Sequence, residues 1–225
     1  MSRLRRATLL LCLLASPLAL AQAAATAPVA APAATAVSEA DIDRLTDLLV
    51  QLMPFGKVFD SLGKADPKWP AQDRPTAVNA AELACLRGEL SSAGVRRGKR
   101  KEVAIYAANR PHNVKRDIEL LEGGAAALFG RLIMAGAESV DSGKPPETDS
   151  VVSSAGTAEQ LSLMTLATDP QYLDLRNLAG LGDMFNQPGT EQDSQARGEK
   201  LGSNLVTVLM LKAMTTCDVP VSRFQ

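Results

Sequence analysis

From Val114 to Ala135 apolar residues recur every three or four positions: Val114, Ile118, Leu121, Ala125, Leu128, Leu132 and Ala135. This run fixes the class of fold. Such spacing lays a continuous apolar stripe along one helix. Between Ala125 and Ala137 only Arg131 is charged, so this helix is expected to be the most buried element of the chain. A stripe of that length is stable only when other elements cover it. No alternating apolar–polar pattern longer than four residues supplies a strand. The expected fold is therefore all-α, a compact bundle of six to eight helices with no significant sheet. Gly123-Gly124 interrupts the stripe at a cost of roughly 1 kcal/mol per glycine relative to alanine. A neighbouring helix that comes close, or a kink, is the expected compensation.

The remaining helices follow from caps and periodicity. Ser38 precedes Glu39 and Asp41, an N-cap hydroxyl followed by first-turn acids, and Ile42, Leu45, Leu48, Leu49, Leu52 and Met53 then form one face. Pro54 ends that helix, and a short second one is expected over 55–62. Residues 64–75 carry Pro67, Pro70 and Pro75 around Trp69 and read as a loop whose tryptophan covers the core. Asn79 and Glu82 have the spacing of a capping box before Leu83, Leu86 and Leu90, with Gly94 as the stop. A helix is expected from Arg97 to Asn109, another from Pro111, and a long loop over 138–156. Thr157 opens a further helix as its cap, Asp169-Pro170 starts a short one, and the last runs from near Ser194 to Thr216, burying Leu201, Leu205, Val208, Leu209 and Met214.

The N-terminus has a different character. Arg3, Arg5 and Arg6 precede the apolar run 7–15, and Ala19, Ala21 and Ala23 supply small residues for cleavage. Residues 1–23 read as a secretory signal peptide, and the run is too short for a membrane span of ~20 residues. Residues 24–37 are mostly alanine with Pro28 and Pro32, a flexible segment before a single helical domain at 38–225. No segment after the signal is expected to cross a membrane. The expected location is periplasmic or secreted.

Signal removal leaves two cysteines, Cys85 and Cys217, and an even pair in an oxidising compartment favours a disulfide. It also takes three arginines and no acid from a chain of 24 basic and 25 acidic residues, leaving a net charge of about −4. Such a chain is not a general polyanion binder, and no nucleic-acid partner is expected. Within it, Arg96, Arg97, Lys99, Arg100 and Lys101 crowd five cations into six positions. That run is the candidate contact for an acidic protein or an anionic envelope component. Otherwise it is a solvated helix start.

Catalytic and metal signatures are weak. The chain has one histidine, His112, at a helix entrance without an acid or thiol beside it, and no zinc or cofactor motif is present. No metal or cofactor is expected. Glu39, Asp43 and Asp47 line one helix face at intervals of four, read as a solvated row because no calcium-loop glycine accompanies them. Ser61 and Lys64 have the spacing of a serine acyl-transferase pair, but at a helix end and without its companion motifs. Gln51-Leu52-Met53-Pro54 resembles a piece of the lytic transglycosylases, whose catalytic Glu-Ser pair must lie upstream. None of Glu39, Asp41, Asp43 or Asp47 is followed by serine. No catalytic residue is therefore assigned. The leading expectation is a non-enzymatic binding or envelope-associated protein. The alternatives are a carboxylate-based cell-wall glycoside hydrolase and an immunity-type inhibitor of a periplasmic toxin.

Overall fold

The computed structural model describes residues 36–74, 76–143, 147–182, 185 and 191–224. The expected signal peptide and all but the last two residues of the alanine-rich segment lie outside the described residues. Among the described residues every regular element is helical, as the periodicity requires.

Helix α1 (Glu39–Leu52) starts where its cap predicts, with Ser38 Oγ accepting the Asp41 N–H at 3.1 Å. It buries Ile42, Leu45, Leu48, Leu49 and Leu52, and packs on α4, α5 and α6. After Pro54 comes α2 (Phe55–Ala65). The loop that follows brings buried Trp69 onto Phe59, ring centroids 5.4 Å apart. Helix α3 (Ala80–Leu90) opens with the expected capping box: Asn79 Oδ1 accepts the Glu82 N–H, and Glu82 Oε2 accepts the Asn79 N–H. Helix α4 (Ser92–Asn109) begins five residues before its expected start. Ser91 Oγ accepts the Gly94 N–H and caps it, so Gly94 opens a helix instead of ending one. The cationic run consequently lies within the helix, not at its first turn.

Helix α5 (Pro111–Leu120) passes through a wide turn, Leu121–Ala125, into α6 (Ala126–Ser142). Gly124 sits there at φ +119°, a backbone region that only glycine occupies without strain. Both expected compensations occur together: the helix kinks at the glycine pair, and α8 (Thr157–Thr168) packs against that turn. A Cβ on Gly124 would stand 2.8 Å from Glu159 Cα. Arg131, the lone charge in the apolar run, reaches Glu159 through two hydrogen bonds of 3.1 and 3.0 Å, tying α6 to α8. Gly156, not Thr157, caps α8, with its N–H donating to Glu159 Oε2.

Two further expectations change. The loop expected over 138–156 is partly helical, since α6 runs on to Ser142 and α7 (Thr148–Ser153) follows. By length and composition the helical stretch Pro111–Ser139 contains 18 residues apolar enough to cross a bilayer, with mean hydropathy 1.3 over those 18. Here it is the core helix of the bundle, with Val114, Leu121, Ala125, Ala126 and Leu128 almost fully buried. After a 3-10 turn capped by Asp169 come α9 (Leu173–Ala179) and α10 (Glu191–Thr216). The expected burial of Leu201 lies outside the described side chains. Leu205 and Leu209 are half-buried and Met214 is buried, but Val208 is 46% exposed against the burial expected for it.

The buried residues form two clusters. The larger joins α1, α4, α5, α6, α8 and α9; the smaller joins Phe59, Trp69, Leu86 and Leu90 to Ala213, Met214 and Val219. Cys85 of α3 and Cys217, just past α10, are disulfide-bonded, with Cα atoms 5.9 Å apart. That bond fastens the last helix beside the smaller cluster.

Two expected outcomes follow from this packing. Gly124→Ala forces a left-handed backbone and a clash with α8, and should cost about 2–4 kcal/mol in urea unfolding. Gly98→Ala, where a Cβ meets nothing, should instead add about 0.5–1 kcal/mol. Equal effects at both positions would refute this account. Replacing both cysteines by alanine opens a loop spanning 132 positions and should cost about 3–5 kcal/mol. A smaller loss would mean that the α3–α10 contact holds without the covalent link.

Candidate functional site

The five cations of 96–101 fall on two faces of α4, and the two sets meet different surroundings. Arg96 and Arg100, one turn apart, face α1. Arg100 donates to Asp43 at 2.7 Å and to Glu39 at 2.5 Å, and Arg96 donates to Asp47 at 2.6 Å. The acidic row on α1 and the paired arginines on α4 therefore form one antiparallel seam, Glu39 opposite Arg100 and Asp47 opposite Arg96. The acids read from the sequence as a solvated row are partners of the arginines. The signal was present in both segments, as opposite charges repeated at intervals of four, but nothing in the sequence paired α1 with α4.

Arg97, Lys99 and Lys101 turn the other way, into an open groove of about 930 Å³ between α4 and α10. Its floor is aliphatic. Leu49, Val50 and Met53 come from the end of α1, Leu90 from α3, Leu178 and Ala179 from α9, and Leu205, Val208 and Leu209 from α10. The caps set this arrangement: Ser91 starts α4 early enough to carry the run past α1, and the disulfide holds α10 alongside. Gly98 lines the groove too, with open space where a side chain would begin.

The rim is charged. Arg97 pairs with Glu89 at 2.7 Å, and Lys99 with Glu102 at 2.6 Å. Lys99 also donates to the Leu178 carbonyl at 2.9 Å, where the last carbonyls of α9 favour a cation. Lys212 of α10 reaches Glu102 across the groove. Lys101 is exposed and has no ion-pair partner among the described residues. Burial pushes the Glu102 carboxyl up, but Lys99 and Lys212 outweigh it and hold it below the usual range. Four cations thus face two acids around an apolar floor.

A second polar cluster is internal. Asp117 of α5 is fully buried, accepting from the Tyr106 hydroxyl on one oxygen and from Arg116 on the other, at 2.8 and 3.1 Å. Arg116 also lies 4.8 Å over the Tyr172 ring. Burial pushes the Asp117 carboxyl up, against the pull of Tyr106 and Arg116. Burial and the neighbouring Asp117 push the Tyr106 phenol up as well. Arg176, also buried, donates to the Leu166 and Asp169 carbonyls and closes the end of α8. Tyr106, Arg116 and Asp117 bind one another between α4 and α5, while Arg176 ties α9 to the end of α8; none of them lines the groove. The sequence pattern missed Asp117 and Arg176, because a single charge on an apolar face looks like a surface residue until its partners are known.

The remaining sequence candidates stay apart. His112 is exposed at the start of α5. Ser61 Oγ donates to its own helix, to the Lys57 carbonyl at 3.1 Å. No group of three metal-binding side chains occurs among the described residues.

The seam makes a pH prediction. The Arg100 hydrogen bond holds Asp43 below the ordinary carboxylate value, and Arg131 does the same for Glu159. Folded-state values below unfolded ones give stabilisation that is complete above about pH 4 and is lost as the pH falls through the folded values. Asp43→Asn removes one such group, so its unfolding free energy should fall less steeply than the wild type's below about pH 4. Identical acid limbs would show that the seam contributes nothing. Comparison with protein families, with curated proteins and with solved structures finds no match, so the chemistry of the groove is argued from its geometry alone.

Proposed function

We propose that this is an exported, non-enzymatic binding protein, acting in the periplasm or outside the cell, whose ligand occupies the groove between α4 and α10. The observation that carries the reading is the groove itself. At about 930 Å³ it lies within the ~300–1,000 Å³ common for ligand sites, with an apolar floor and a few polar groups at its edge. The cationic run supplies three of those groups, in keeping with an anionic envelope component as the partner.

The groove does not favour the glycoside-hydrolase alternative. Such an enzyme needs one carboxyl kept protonated beside a second, ionised one. Both groove acids are ion-paired, and Glu102 is held in its ionised form by two lysines. Asp117, the carboxyl pushed upward, is fully buried and bonded to Tyr106 and Arg116. An immunity-type inhibitor works by presenting an outward face to a toxin, whereas a concave, half-apolar surface suits the holding of a ligand.

Gly98→Trp tests the reading, because the new ring enters open space and fills the groove from α4. Wild-type protein incubated with envelope extract and examined by native mass spectrometry should retain a bound species that the variant loses. No retained species on the wild type, or equal retention on both, would overturn the proposal.

A further inference from the structure

Resting on that reading of the groove, we infer that its occupant is a single-chain lipid anion, an alkyl chain lying on the leucine–valine floor with its acid group at Lys101. Three observations converge. The open apolar surface comes mainly from α10, where Val208 is 46% and Leu211 41% exposed and Leu205 and Leu209 are half-buried, above the buried Leu49 and Met53. Burial of such surface is worth ~25 cal/mol per Å², and an alkyl chain gains it without desolvating any polar group of its own. The walls are helices, whose backbone N–H and C=O groups are used within the helices themselves. They offer no edge to an extended peptide, which would leave its own backbone groups unpaired at a cost of about 1–3 kcal/mol each.

The charge at the rim completes the match. Glu89 and Glu102 engage Arg97, Lys99 and Lys212, and Lys101 remains as the cation in excess. An anionic head group there supplies the missing partner, while the tail extends over the floor. The occupant is the free monomer, not a bilayer surface, because the apolar surface is recessed between α4 and α10 and a flat membrane would meet only the rim.

The probe is undecanoic acid carrying a dansyl group at its far end, followed by fluorescence, with circular dichroism checking that each variant is folded. Wild-type protein should bind one probe per chain and release it to oleate, while the uncharged methyl ester of oleate competes poorly. Gly98→Trp should weaken binding by roughly tenfold or more. Lys101→Glu should weaken it by about fivefold, with less dependence on salt. Gly136→Ala, on α6 outside the groove lining and with open space at its Cβ, should bind like the wild type.

The inference is overturned if the wild type binds no probe, if Gly98→Trp binds it equally, or if the ester competes as well as the acid. Binding confined to phosphatidylglycerol vesicles would place the contact on a bilayer surface instead. Displacement by an acidic amphipathic helical peptide in preference to oleate would make a helix the occupant. If the probe fails while the wild type alone retains another species from envelope extract, the groove is a binding site and only its assignment to lipid falls. If that retention is absent as well, the groove reading falls with it.

Discussion

A long helix with an apolar stripe needs that stripe covered along its length, and a straight one of this length would outrun the partners that can cover it. The turn at Leu121–Ala125 resolves that conflict. By kinking at Gly124 it lets α5 and α6 press their stripes into one core, and the missing side chains admit α8 to backbone distance. Arg131 then bonds to Glu159, so the one charge in the apolar stretch pairs at the helix interface that the glycines make possible. Helix α1 lies against α4, α5 and α6, and its position is what brings the charged seam and the floor of the groove into being.

The fold class was legible because helices announce themselves locally. Ser38, the Asn79–Glu82 box, Pro111 and Asp169-Pro170 act within one turn, and each marks its helix start as its chemistry requires. The errors were also local. Gly94 looked like a stop because a glycine after an apolar run commonly ends a helix, but Ser91 supplies the stronger signal by capping the next one. Thr157 looked like a cap, yet Gly156 holds that place, since Glu159 accepts the N–H of the residue three before it. The cysteine pair was legible from the even count that remains when residues 1–23 are read as a signal peptide.

What the sequence could not convey was which surfaces face each other. The run Arg96–Lys101 reads as a single basic patch in one dimension. On a helix, successive residues are 100° apart, so Arg96 and Arg100 turn to the acids of α1 while Arg97 and Lys101 turn to the groove. Two of the five charges are thereby taken up by α1, and the other three sit beside an apolar surface that no local pattern revealed. Asp117 and Arg176 escaped notice for the same reason. Asp117 is buried against Tyr106 and Arg116, and Arg176 against two carbonyls that take one of its amino groups, while its Nε has no partner among the described residues.

Two opposed requirements keep the groove open. Helix α10 is held near its end by the bond from Cys85 to Cys217 and, about three turns earlier, by Leu205 against Gly180. Between these anchors its apolar residues would gain by closing onto α4. Closure, however, would take Arg97, Lys99, Lys101 and Lys212 out of water with only Glu89 and Glu102 to answer them. Burying a cation without a full set of partners costs several kcal/mol, more than the ~1.5–3 kcal/mol returned by sinking one further aliphatic side chain. The bundle therefore stops short, with an apolar floor uncovered and a cationic edge still hydrated. A ligand that brings both a hydrocarbon surface and a negative charge removes the conflict, which neither helix can do alone.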